Sequence, residues 1–220
     1  MAREQSLTRW DEIFASAEGD LSEPSPFLIK ELDRLKLKGW ALDLGCGAGR
    51  HCIHLARSGF DTWGFDVSRK ALEKAALNLR TAGTSARLTQ GDMGNLPYGD
   101  GLFDLVVSIN VTHHADSEGV RRNASEICRV LRPGGYLIAT LSTTRDYKFG
   151  QGVKVEEKTF LHTSGVEAGI LHHFMDEADI RDCFRPFGIE YLAEEQGSFF
   201  FYESKKNENY HWFLTASKNR

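Results

Sequence analysis

The chain has 220 residues, 41% of them hydrophobic and 26% charged, which is enough apolar material for one well-buried α/β domain and excludes wholesale disorder. Its formal net charge of −4 leaves no electrostatic footprint for nucleic acid, whose binding needs clustered Lys and Arg. No apolar run of about 18 residues occurs, so no membrane span is expected.

The start, Met1-Ala2-Arg3-Glu4-Gln5, is polar and does not read as a signal peptide. The cysteines Cys46, Cys52, Cys128 and Cys183 form no C-x-x-C pair, which points to free thiols in a reducing cytoplasm. The basic pairs Arg121-Arg122 and Lys205-Lys206 read as solvated surface.

In chain order, residues 1–38 read as an N-terminal helical segment, two pieces around a break at Ser22-Glu23-Pro24-Ser25-Pro26. From residue 39 strands and helices alternate. Trp40-Ala41-Leu42-Asp43-Leu44 is a short apolar strand that runs into glycines, and Thr62-Trp63-Gly64-Phe65-Asp66 is a second. Residues 69–82 set Leu72, Ala75, Ala76 and Leu79 at helical spacing. Residues 86–90 and 103–109 give a third and fourth strand. A helix then carries Val120, Ala124, Ile127, Cys128 and Leu131 on one stripe and stops at Arg132-Pro133-Gly134-Gly135, before a fifth strand over 136–141.

Residues 143–175 show little periodicity and read as a lid or acceptor-binding insertion, with Tyr147, Phe149, Phe160 and Phe174 available to cover an acceptor and glycines at 150, 152, 165 and 169 as hinges. Asp176-Glu177-Ala178-Asp179 opens another helix, with Met175 able to staple to Ile180. Ile189-Glu190-Tyr191-Leu192 and His211-Trp212-Phe213-Leu214-Thr215 have no helix between them and are expected to pair as an antiparallel hairpin at one edge. The whole is a single Rossmann-like domain over residues 1–220: a mostly parallel seven-stranded sheet with helices on both faces and one reversed strand.

The most informative stretch is Asp43-Leu44-Gly45-Cys46-Gly47-Ala48-Gly49, at the carboxyl end of a strand and the start of a helix, where such sheets bind ligands. A dinucleotide fingerprint would need glycine at position 50, which is Arg50, and the Asp43 carboxylate would repel a pyrophosphate but welcome an ammonium. Asp66, at the end of the second strand, can accept from two hydroxyls, each charged hydrogen bond contributing about 1.5–3 kcal/mol; the plainer reading is a helix cap, for which Ser68 serves as well. Cys46 reads as a small turn residue, not a nucleophile.

This glycine turn resembles the first motif of class I S-adenosylmethionine (SAM)-dependent methyltransferases. The resemblance continues through Gly64-Phe65-Asp66-Val67-Ser68, Gly91-Asp92-Met93, Phe103-Asp104 to Ile109-Asn110, and Leu131-Arg132-Pro133-Gly134-Gly135, five motifs in order over residues 39–142. It implies a methyltransferase whose cofactor, SAM, is held by Asp43, Gly45, Gly47, Gly49, Asp66, Val67, Asp92, Met93 and Asn110, with Asp66 on the ribose and Asp92 and Met93 beside the adenine. The insertion resembles that of small stand-alone methyltransferases, some grouped with tellurite-resistance proteins.

After the fourth strand, Asn110-Val111-Thr112-His113-His114 lacks the Asn/Asp-Pro-Pro-Tyr signature of enzymes that methylate exocyclic amines, which argues against DNA and for a small-molecule acceptor. The pairs His113-His114 and His172-His173 are expected either to be ordinary lid histidines or to meet over the pocket and supply a base, His113 and His173 being the candidates. A metal site is the third and least favoured reading, and none is expected, because no carboxylate or cysteine sits at ligand spacing beside them. Two rival readings stand beside the methyltransferase, a nicotinamide-dependent reductase and a non-catalytic SAM-binding scaffold. The sequence sets no oligomeric state.

Overall fold

We analysed a computed structural model, which describes residues 2–16, 23–196 and 209–219; the Lys205-Lys206 pair lies outside them. The elements are α1 (Ala2–Ala15), α2 (Pro26–Leu35), β1 (Trp40–Leu44), α3 (Arg50–Arg57), β2 (Asp61–Asp66), α4 (Arg69–Thr81), β3 (Arg87–Gln90), β4 (Phe103–Ile109), α5 (Ser117–Val130), β5 (Leu131–Ser142), β6 (Val153–Glu156), β7 (Thr159–Leu161), β8 (Leu171–His173), α6 (Glu177–Cys183), β9 (Phe187–Gln196) and β10 (Tyr210–Lys218). Seven strands form one sheet in the order β3-β2-β1-β4-β5-β10-β9. The first five are parallel, and β10 runs antiparallel to both β5 and β9, so it is the reversed strand the sequence suggests.

Alternation along the central strands sends neighbouring residues to opposite faces. Leu42, Val106, Leu137 and Leu214 pack with Val120, Ile127 and Phe184 of the α5 and α6 side. Ala41, Leu105, Val107 and Ile138 pack with Phe27, Leu28 and Leu32 of α2 and Leu55 of α3 on the other. A carboxylate fastens α2 to the sheet: Glu31, 2% exposed, accepts from Thr215 Oγ1 of β10 at 2.9 Å and from Arg34 Nη2 at 2.7 Å.

Two expectations change. Helix α5 ends at Val130, and Leu131 is already strand, paired with Phe103. The cause is Pro133, which offers no N–H to a helix and pushes Arg132, the residue before it, toward extended backbone. Residues 143–175 are not a structureless loop either. They hold a second, three-stranded antiparallel sheet, β6-β7-β8, whose strands of three or four residues are too short to leave a period in the sequence. Phe160 and Phe174 are buried within it, with Phe149 packed edge-on against both at 5.5 Å, so these rings form the insertion's own core. Gly152 lies close against β7: a Cβ there would lie 2.2 Å from the Leu161 carbonyl oxygen. The insertion closes on its own base, where Met175 N–H donates to Ser142 O at 3.0 Å. Asp176 then caps α6 in a reciprocal capping box with Asp179, and Met175 and Ile180 share one core cluster.

Gly64 in β2 is where α3 and the glycine turn come nearest the sheet. A Cβ there would lie 2.7 Å from Leu88 Cδ2, 2.9 Å from Cys52 Sγ and 3.1 Å from Cys46 Sγ. Gly64→Ala is therefore expected to destabilise the fold by about 1–3 kcal/mol through overpacking, read as a lowered urea midpoint at unchanged m-value.

Candidate functional site

The parallel register brings the ends of β3, β2, β1 and β4 to one edge: Asp66 pairs with Gln90, Leu44 with Phe65 and Asp43 with Val107. Asp66 ends β2, and Gly45, Gly47, Val67, Asp92, Met93 and Asn110 follow the ends of these strands, so all stand at this one edge of the sheet. Asp66 Oδ2 accepts from Gly47 N–H at 2.9 Å and Oδ1 from Ser68 N–H at 2.8 Å. Burial pushes its carboxyl up to about 6 against those two hydrogen bonds. Ser68, not Asp66, is the side-chain cap of α4, accepting from Ala71 N–H.

Gly47 and Gly49 hold φ of +53° and +91°, which lets the turn fold back toward α4, where a Cβ on Gly49 would lie 3.1 Å from Ala75 Cβ. Asp43 is 1% exposed; its Oδ2 takes Cys52 Sγ–H at 3.2 Å, while Oδ1 has no hydrogen-bond partner among the described residues and His51 Nδ1 stands 3.6 Å away. Cys46 and Cys52 are buried thiols raised out of the reactive range. Cys46 rises to about 11, because its hydrogen bond to Cys52 is outweighed by burial and by the charges of Asp66 and Asp43. At the end of β4, Asn110 has φ +60°, and Thr140 locks it there: Asn110 N–H donates to Thr140 Oγ1 at 2.9 Å, and that hydroxyl donates to Asn110 Oδ1 at 2.6 Å. Asp92 Oδ1 accepts from Gly94 N–H at 2.9 Å, and Met93 packs on the core edge.

Sequence reasoning misses what α1 does. Asp11 Oδ1 accepts from Ser68 Oγ at 2.7 Å and from Lys70 N–H at 3.1 Å, and Phe14 Cζ lies 3.1 Å from where a Gly47 Cβ would stand. Arg9 Nε donates to Ala168 O of the insertion at 2.9 Å, and Trp10 meets His114 edge-on at 5.0 Å. One helix therefore roofs both the glycine turn and the insertion. Its sequence carries no strong apolar stripe to announce this, because its contacts are polar and aromatic.

Beyond Asn110 the histidines gather, but not as the two expected pairs. His113, His114, His162 and His172 pack ring on ring, at 4.3 Å for His113–His114, 4.6 Å for His114–His172 and 4.0 Å for His162–His172. His173 faces the other side of β8, where its Nδ1 is 2.8 Å from Thr159 Oγ1, so only its backbone N–H reaches His113, at the carbonyl oxygen. That separates the ring of His173 from the cluster and leaves it a structural partner of Thr159. Spacing gives no reason to single out His162, which lies alone in the sequence. Burial holds His113 well below its ordinary value and takes His114 and His162 down to about 3. The insertion also supplies a carboxylate that spacing could not reveal: Glu167 Oε2 is 3.2 Å from His172 Nε2 and accepts from Lys148 Nζ at 2.5 Å. The expectation that no carboxylate stands beside the histidines, and with it the reason for setting a metal aside, does not hold.

A parallel sheet with one reversed edge-region strand, a glycine turn after β1 and an acidic residue ending β2 define the Rossmann-like class of α/β domain. Residues 41–135 match the family model described as a methyltransferase domain. The chain is 39% identical over 94 residues to an uncharacterised methyltransferase of Synechocystis, covering 43% of this chain and 42% of that one. Its structure resembles a SAM-dependent methyltransferase of Methanosarcina mazei (TM-score 0.69, 23% identity, 90% of this chain and 99% of that one). It also resembles a Burkholderia thailandensis N1-methyltransferase solved with S-adenosylhomocysteine (TM-score 0.66, 17% identity, 89% and 77%). Residues 41–135 therefore carry a methyltransferase domain, on the fold that SAM-dependent methyltransferases of known structure share. It matches less than half the length of several curated methyltransferases to which it is similar.

Because α1 lies over Gly47, a ligand in the turn has to exchange past it. Removing residues 1–16 is expected to leave a folded sheet and to raise the dissociation rate of S-adenosylhomocysteine at least about tenfold, measured by stopped-flow fluorescence. An unchanged rate would show that α1 covers nothing the ligand must pass.

Proposed function

We propose that the chain binds SAM along the ends of β1 to β4 and passes its methyl group to a small-molecule acceptor held between Asn110, α1 and the insertion. The observation that carries this reading is the Asp66 clamp, a buried carboxylate fixed by Gly47 and Ser68 with the glycine turn folded against it. In this reading Asp66 accepts the ribose hydroxyls, and the charge of the Asp43 carboxylate attracts the methionine ammonium. Gly45, Gly47 and Gly49 keep the turn clear for the methionine part, and Val67, Asp92 and Met93 border the adenine. The donor supplies an activated methyl on a sulfonium, so the attacking lone pair forms the new bond as the sulfur takes back its electron pair.

The protein's own contribution is alignment, for which proximity and orientation account for about 7–11 kcal/mol of barrier lowering in well-ordered systems. His113 stays in the cluster as the histidine nearest Asn110 in sequence. Its depressed basicity fits a neutral positioning group better than a strong base, and His173 is too far turned to serve. The net charge of −4 supports a small molecule over nucleic acid as acceptor, and the described residues include no helix long and apolar enough to cross a membrane. A cytoplasmic setting belongs to the same proposal. Calorimetric titration with SAM, S-adenosylhomocysteine and NAD tests the cofactor; binding of NAD alone would overturn the reading. Incubating metabolite pools with isotopically labelled SAM then identifies the acceptor.

The raised Asp66 carboxyl sets a pH dependence. Its folded value lies above the ordinary one, so its contribution to folding stability is greatest at low pH and is lost as pH rises through about 6. Ligand binding goes the other way, because a protonated Asp66 accepts less well. Affinity for S-adenosylhomocysteine is expected to fall as pH drops below about 6. Asp66→Asn should weaken binding at pH ~7.5 by about 2–4 kcal/mol and flatten that pH profile. A variant that binds within about 0.5 kcal/mol of the natural chain would reduce Asp66 to a fold residue.

A further inference from the structure

Methyl transfer by alignment does not require four histidines against one another. Yet one ring nitrogen from each of His113, His114 and His172 lies within 4.8 Å of the others, and His162, Glu167 and His172 form a second such group around the same histidine. His113, His162 and His172 are 3%, 7% and 2% exposed. Nδ1 of His113 and Nε2 of His162 are buried without a hydrogen-bond partner among the described residues. Buried polar atoms in folded proteins are nearly always satisfied, and the orphaned His113 Nδ1 within this cluster marks a missing partner.

We propose that His113, His114 and His172 bind one divalent transition-metal ion of the zinc class, with a fourth position left to water or to the acceptor. Nitrogen donors alone favour zinc and its neighbours over calcium or magnesium, which take oxygen. Three histidines with an open fourth position is a catalytic rather than a structural arrangement. Glu167 acts as the orienting carboxylate, accepting from His172 at 3.2 Å, and Lys148 on the same oxygen balances its charge, so Glu167 stays outside the ligand set. The Nδ1 atoms of His114 and His172 each face a backbone carbonyl at 3.4 Å, Leu171 O and Ile170 O, a distance long enough to yield to a metal bond. Tetrahedral zinc spaces its nitrogen donors about 3.4 Å apart, within reach of nitrogens that already lie no more than 4.8 Å from one another. His162, stacked face to face on His172, packs the site from outside.

The test uses the full chain stripped with chelator and titrated with Zn²⁺ by calorimetry and with Co²⁺ by visible absorption. One equivalent is expected, together with the intense ligand-field bands of four-coordinate Co²⁺. His114→Ala and His172→Ala should each weaken Zn²⁺ binding at least about 100-fold, and Glu167→Gln about 10-fold. His54→Ala, on α3 away from the cluster, should leave it unchanged. Should the cluster variants fail to fold, ring-nitrogen NMR of the natural chain decides: Zn²⁺ must shift the His113, His114 and His172 signals and spare His54. Absence of stoichiometric binding, or binding that survives both alanine variants, overturns the site. The stripped chain's affinity for S-adenosylhomocysteine, measured alongside, separates that failure from failure of the cofactor reading.

Discussion

Most of the site hangs on one carboxylate. Asp66 ends β2 and accepts from Gly47, in the turn after β1, and from Ser68, at the start of α4. Ser68 then works twice more: its hydroxyl caps α4 at Ala71 N–H and donates to Asp11 of α1. A chain of hydrogen bonds therefore runs from the sheet, through the glycine turn and the α4 cap, to the helix that roofs the cleft. Charged hydrogen bonds of this kind contribute about 1.5–3 kcal/mol each, more than neutral ones, and they are directional. The turn, the cap and the roof consequently adopt one arrangement together.

The part of the fold that is legible in the sequence is the part that obeys a period. β1 and β4 run over the residues their apolar runs mark, and α4 ends one residue short of the expected boundary. The reversed strand is legible because two strand patterns follow each other with no helix to carry a parallel crossover. Leu131 misleads because it sits at helical spacing from Ile127, and a stripe of apolar residues cannot say where a helix yields to the demand of a proline two residues on. The insertion is illegible for a different reason. Its strands are short, and what orders them is long-range: the Phe149, Phe160 and Phe174 triangle and the Glu156 carboxylate on Ser117 N–H and Oγ.

The two groups of candidate residues differ in legibility for the same physical reason. The residues proposed for the cofactor end or follow four adjacent parallel strands, so topology alone brings them to one edge. The histidine cluster is assembled from the loop after β4, from β8 and from the segments flanking it, and the choice between His172 and His173 depends on which face of a three-residue strand turns inward. Glu167 enters from the segment between β7 and β8, with Arg9 of α1 bonded to its neighbour Ala168.

The two halves differ in how completely their polar groups are satisfied, and that difference bears on what each half awaits. Around Asp66 both carboxylate oxygens already have donors, so a ligand there meets a preformed surface and adds bonds to it. At Asp43 Oδ1, His113 Nδ1 and His162 Nε2 the described residues instead hold buried atoms with no hydrogen-bond partner. Leaving such an atom bare costs about 1–3 kcal/mol, a large fraction of a domain's net stability. A fold retains that cost most readily where function needs the atom uncommitted, a carboxylate oxygen for a cation and imidazole nitrogens for a Lewis acid. The first lies in β1, just before the glycine turn, and the second in the histidine cluster beyond Asn110.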